Sequence, residues 1–157
     1  MPDLLIRRAT ERDLQSLLAL LGQPDMDGDR VIPLAEAQEI FRRVSADANH
    51  EIYVALTDSE VIGTFALLIV NHLSHRGARS LIVEDVVVGT NWQGKGIGGQ
   101  MMAFATTRGK QLQCYKLVLS SGLRRERAHT FYEHLGFQKH GFSFLLPLDT
   151  PTPPRIL

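Results

Sequence analysis

Apolar positions along this chain change period several times, and each change marks an element. A short apolar run at residues 4–8, led by Leu4, Leu5 and Ile6, has the length of a strand. Leu14, Leu17, Leu18 and Leu21 then recur at helical spacing up to Gly22, and Thr10-Glu11-Arg12-Asp13 ahead of them resembles a capping box with Asp in place of Glu. Leu34, Ala37, Phe41 and Val44 form the stripe of a second amphipathic helix. Strand-like runs follow at 52–56 and 61–70, and the turn Thr57-Asp58-Ser59-Glu60 between them predicts an antiparallel hairpin. A third long strand is expected at 81–88. Helical period returns at Ile97, Met101, Phe104 or Ala105, Arg108 and Leu112. Residues 115–119 read as a fifth strand and 126–135 as a short helix with Gly136 as its C′ residue. Two final strands are expected, one from Phe137 and one over 142–148. This order is α+β. Only the strand–helix–strand crossover at about 83–119 should make neighbouring strands parallel.

Composition narrows the function classes. The 157 residues suit one domain, expected at 1–149, with a Pro-rich tail at 150–157. Seventeen basic residues balance seventeen acidic ones, so net charge offers no case for nucleic acid or an anionic membrane. No apolar run approaches a membrane span, and the N-terminus lacks the features of a signal peptide. The single cysteine, Cys114, fits a reducing cytoplasm and is expected to be a half-buried hydrophobe. The loop 23–33 carries Asp25, Asp27, Gly28 and Asp29, but Leu34 stands where a calcium loop needs its bidentate Glu. His72, His75, His129, His134 and His140 have no ligand-like spacing, so no metal is expected.

The stretch 83–102 holds the chemistry. An apolar strand interrupted by Glu84 and Asp85 feeds a turn of Gln93, Gly94, Lys95, Gly96, Ile97 and Gly98, which opens a helix. Such a turn presents unpaired backbone N–H groups and the positive end of a helix dipole to an anion. Glycine suits it because a Cβ would hold a phosphate away and restrict φ. The spacing fits neither a P-loop nor a dinucleotide fingerprint. It does fit Q/R-x-x-G-x-G/A, and here the chain resembles the GNAT N-acetyltransferases, whose pyrophosphate loop has that form.

A second segment carries the same resemblance. Ala128-His129-Thr130-Phe131-Tyr132-Glu133-His134-Leu135-Gly136-Phe137 matches the family's A-x-x-F-Y-x-x-x-G-F at every defined position. The resemblance covers nearly the whole chain. It implies a GNAT fold: a mixed, mostly antiparallel twisted sheet flanked by helices and splayed between strands four and five. It also implies acetyl-CoA as co-substrate, with Val86, Val87 and Val88 along the pantetheine arm and Gln93, Gly94, Lys95, Gly96, Ile97, Gly98 and Gly99 at the pyrophosphate. Arg125 stands where the family often has Asn, and its guanidinium could serve a phosphate.

Transfer of an acyl group from a thioester to an amine requires a base for the amine and a donor for the departing thiolate. The resemblance implies Tyr132 as that donor and as a cofactor contact. The base stays open between Glu84, Asp85 and a water relay. Adjacent strand residues face opposite sides unless a bulge intervenes. The runs V-E-D-V-V-V and C-Y-K-L-V-L look like glucosamine-6-phosphate N-acetyltransferases, which favour Glu84. The run S-S-G-L-R-R-E-R-A-H-x-F-Y looks like aminoalkylphosphonate N-acetyltransferases, which favour Asp85. The expected enzyme transfers acetyl directly to a primary amine of a small polar molecule, with a homodimer common among such proteins. Two alternatives are a protein acetyltransferase acting on Lys or N-terminal amines and a non-catalytic acyl-CoA-binding module.

Overall fold

A computed structural model describes residues 3–28 and 30–148. Asp29 and the Pro-rich tail lie outside the described residues. The chain divides into two compact units, Met1–Val118 and Leu119–Leu157.

The first unit is a five-stranded sheet in the order β1-β2-β3-β4-β5, built from Leu5–Arg8, His50–Thr57, Glu60–Asn71, Arg79–Val88 and Cys114–Val118. The first four strands are antiparallel neighbours, and β4–β5 is the one parallel pair, as the single crossover requires. The hairpin turn between β2 and β3 places Asp58 and Ser59 at φ +47° and +68°, the left-handed conformation that a tight two-residue connection imposes.

Helices α1 (Leu14–Leu21) and α2 (Leu34–Ala46) cover one face. Leu14, Leu17 and Phe41 pack there on Val54 and Leu56 of β2, all buried. The capping residue Asp13 does more than its motif implies. Its carboxylate accepts from the Thr10 N–H (2.7 Å) and hydroxyl (3.0 Å) and also from Arg7 at 2.8 and 2.9 Å, which ties β1 to the start of the helical segment.

Helix α3 (Ile97–Gln111) covers the opposite face. Phe104 stacks edge-on to Tyr53 and Phe65, with centroids 4.9 and 6.2 Å apart. Beneath it lies a polar knot. Glu51, 3% exposed, accepts from the Tyr53 hydroxyl at 2.7 Å and from Arg108 at 2.7 and 3.0 Å, with Arg8 at 3.1 Å. Burial alone would raise the Glu51 pKa, but these partners together hold it below the ordinary carboxylate value.

The second unit contains α4 (Glu126–His134), with Gly136 at φ +91° just beyond it. The two strands expected after it are a correction: among residues 137–148 none is in a strand. A strand exists only through a ladder partner, and Pro147 has no N–H to donate. Phe142, Phe144 and Leu146 are 85%, 93% and 82% exposed, so this apolar stretch meets no core within the described chain. Among the described residues, no helix is long and apolar enough to cross a membrane.

Candidate active site

The first group of candidate residues lies on the C-terminal half of β4. Pairing with β5 extends only over Arg79–Ile82, whereas pairing with β3 continues to Val88. From Val83 onward β4 therefore keeps β3 on one edge and loses β5 on the other. This is the splay.

A bulge shapes the same segment. Thr64 opposes Val87 and Ala66 opposes Glu84, so Phe65 faces the two residues Asp85 and Val86. Asp85 adopts φ +50°, a conformation that costs a non-glycine residue about 1 kcal/mol or more unless the surroundings impose it. Simple alternation would send the two acids to opposite faces. Here the register puts Glu84 in line with Ala66 and Ile52, on the α1/α2 face. Asp85 interacts electrostatically with Asp27 of the α1–α2 loop and with His50 on that same face. Both side chains are solvent-accessible, yet desolvation raises both pKa values. The neighbouring charge of Asp85 adds to the rise at Glu84, and that of Asp27 adds to the rise at Asp85.

Beyond the bulge, backbone direction is set by one bond. Gly89 N–H donates to the Ile62 carbonyl at 2.8 Å, which makes Gly63–Val88 the non-bonded pair and turns the Val88 amide groups away from β3. Val87, 3% exposed, anchors the segment.

The chain then enters the glycine turn. Gly94 and Gly96 adopt φ +75° and +81°, and a Cβ at Gly94 would meet nothing within 4 Å, so the turn is open on its outer side. Gly96 is the N-cap of α3 and supplies no side-chain cap, which leaves the first-turn N–H groups of Ile97, Gly98 and Gly99 free of one. Lys95 lies over the Trp92 ring, 4.8 Å from its centroid. Buried Ile97 fixes the helix start to the core. An anionic group fits this end of α3 on geometry and dipole alone.

Arg125 and Tyr132 belong to the second unit. Arg125 occupies the N-cap position of α4, and its carbonyl accepts the His129 N–H at 3.0 Å. The Tyr132 ring lies 5.0 Å from Phe131 and 5.5 Å from Phe137. Desolvation raises the Tyr132 pKa and the Arg125 charge partly opposes it, so the phenol keeps its proton across neutral pH.

Two further groups escaped the motifs. Gln23, in the α1–α2 loop, reaches the Val88 carbonyl and Thr90. Ser121 Oγ is buried and has no hydrogen-bond partner among the described residues. Neither the residue type nor the local spacing of Gln23 announces its contacts, which only the folded chain makes.

The Acetyltransferase (GNAT) family model matches residues 14–137, and the chain belongs to that family. It is accordingly an N-acetyltransferase with the GNAT fold. Glucosamine 6-phosphate N-acetyltransferase of Trypanosoma brucei brucei is 30% identical over 88% of this chain and 91% of its own length. Aminoalkylphosphonate N-acetyltransferase of Salmonella typhimurium is 29% identical over 92% and 91%. The solved structure of an acetyltransferase from Agrobacterium tumefaciens, described as putative, superposes with a TM-score of 0.86 at 28% identity, covering 92% of this chain and 99% of that one.

Proposed function

We propose that this protein is an acetyl-CoA-dependent enzyme that transfers acetyl directly to the primary amine of a small polar molecule, with phosphate- or phosphonate-bearing amines as the first class to test. The observation that carries the reading is the unpaired edge of β4 running straight into the uncapped start of α3. An extended arm can add to that edge as a strand would, and a pyrophosphate can then reach the N-terminus of the helix. The names of the two relatives supply the acceptor class.

Residues take the following roles. Backbone groups of Val86 and Val88 hold the pantetheine arm, with Val87 keeping the strand in place. Gln93, Gly94, Lys95, Gly96, Ile97, Gly98 and Gly99 hold the pyrophosphate, and Arg125 serves a phosphate. Acetyl-CoA supplies the activated acyl group as a thioester. Glu84 takes the proton from the attacking amine, directly or through water, and Asp85 shares the anchoring of that amine. A raised carboxyl pKa is a better match to an amine's proton than an ordinary one. Tyr132 gives its proton to the departing sulfur.

Residues 1–149 act in this reading as one acetyltransferase domain, in the cytoplasm, and as a homodimer. The exposed apolar run of Phe142, Phe144 and Leu146 supports an association surface.

The acceptor class is tested by comparing kcat/KM for glucosamine 6-phosphate, an aminoalkylphosphonate, their unphosphorylated counterparts and a Lys-containing peptide. At least tenfold preference for the phosphorylated amines is expected. Preference for the peptide would move the acceptor to proteins.

A further inference from the structure

Gln23 sits one residue beyond Gly22, at the end of α1, and its side chain spans the gap to the end of β4. Its Nε2 donates to the Val88 carbonyl at 3.2 Å. Its Oε1 accepts from the Thr90 N–H at 2.9 Å and from the Thr90 hydroxyl at 3.2 Å. The orientation of the amide is dictated by chemistry: a backbone N–H can only donate, so Oε1 must face Thr90, and Nε2 is left for Val88. The backbone of the same residue organises the loop, because the Gln23 carbonyl accepts from Met26 N–H at 2.9 Å and Gly28 N–H at 3.2 Å. Asp27, which interacts electrostatically with Asp85, lies inside that turn.

The Val88 carbonyl has a second side-chain donor, Gln93 Nε2 at 3.2 Å. A carbonyl has two lone pairs, so both are in use. The two donors are not equivalent. Gln23 is held at both ends of its amide, whereas its competitor is seen making this one bond from the exposed turn.

We propose that Gln23 is a positioning residue that ties the α1–α2 loop to the cofactor edge of β4. It keeps one lone pair of the Val88 carbonyl permanently, and the lone pair covered by Gln93 is the one an amide N–H of the pantetheine arm takes. The loop carrying Asp27 is thereby held in register with Glu84 and Asp85. This inference rests on the assignment of Val86 and Val88 to the pantetheine arm.

The test uses Gln23→Ala and Gln23→Asn in the full chain, with acetyl-CoA and with glucosamine 6-phosphate or an aminoalkylphosphonate as acceptor. The Asn side chain is one methylene shorter and cannot bridge Val88 and Thr90 together. Loss of the bridge predicts that the acceptor KM rises about tenfold in both variants, equivalent to about 1.4 kcal/mol. The acetyl-CoA dissociation constant should stay within about threefold, a range under 1 kcal/mol. A role confined to stability would lower the melting temperature without this split. Acceptor KM within twofold of wild type in both variants would overturn the proposal, as would an effect confined to acetyl-CoA affinity. Gly96→Val separates the two layers. If it abolishes acetyl-CoA binding while the Gln23 variants behave as wild type, only the positioning role is lost; if it binds acetyl-CoA normally, the cofactor reading itself fails.

Discussion

Asp85 stands next to Glu84 at the β4 bulge, and its charge raises the pKa of Glu84 beyond what desolvation alone produces. A base with a raised pKa is active only above it, so kcat/KM should fall on the acid side through a limb lying above the ordinary carboxylate range of about 4. Asp85→Asn removes the neighbouring charge and should move that limb to lower pH while activity at neutral pH persists in part. Glu84→Gln should remove the limb together with most of the activity. A pH–rate profile unchanged in Asp85→Asn, with Glu84→Gln fully active, would transfer the base to a water relay.

Tyr132→Phe keeps the ring contacts to Phe131 and Phe137 and deletes only the hydroxyl. Turnover should drop about a hundredfold, within the range of a positioned general acid, and acetyl-CoA affinity should change little. Because the phenol pKa is raised, the wild-type enzyme should show no activity loss from this group below the ordinary tyrosine value. Equal turnover in mutant and wild type would leave the aromatic ring as packing only.

The glycine turn gives a binding prediction. Gly96 sits at φ +81°, where a β-branched side chain is strained, and a Cβ there lies at the start of α3 beside the proposed phosphate. Gly96→Val should abolish acetyl-CoA binding by calorimetry while the far-ultraviolet circular dichroism remains folded. Retained affinity would remove the loop from the site.

Much of this was legible in the chain itself. The parallel crossover followed from one strand–helix–strand run, and the family from two motifs around Gly96 and Tyr132. The bulge was not legible as a fact, because it arises from how Phe65 meets Asp85 and Val86 across the sheet rather than from any local pattern. Gln23 was hidden for a related reason: its partners Val88 and Thr90 are sixty-five and sixty-seven residues away. The run 142–148 misled in the other direction. It reads as a strand over 142–148, but an apolar run by itself supplies no neighbour to pair with.

The polar knot under α3 yields a stability prediction. Arg108→Leu leaves the buried Glu51 carboxylate with Tyr53 and Arg8 alone, and should cost on the order of 2 kcal/mol at neutral pH. Glu51 has a depressed folded pKa, so its contribution is full above the unfolded value of about 4.3 and is lost as pH falls through the lower folded value. The gap between wild type and Arg108→Leu in chemical denaturation should therefore close in acid. A gap that stays constant down to pH 2 would assign the cost to packing rather than charge.

The most direct measurement is amine-dependent release of free thiol from acetyl-CoA by the wild-type protein, followed across a panel of small primary amines with acetyl-CoA binding measured in parallel. The account predicts stoichiometric thiol release and N-acetylated product with at least one phosphate- or phosphonate-bearing amine, and little release without amine. Tight acetyl-CoA binding with no turnover on any amine would contradict it and leave an acyl-CoA-binding module in its place.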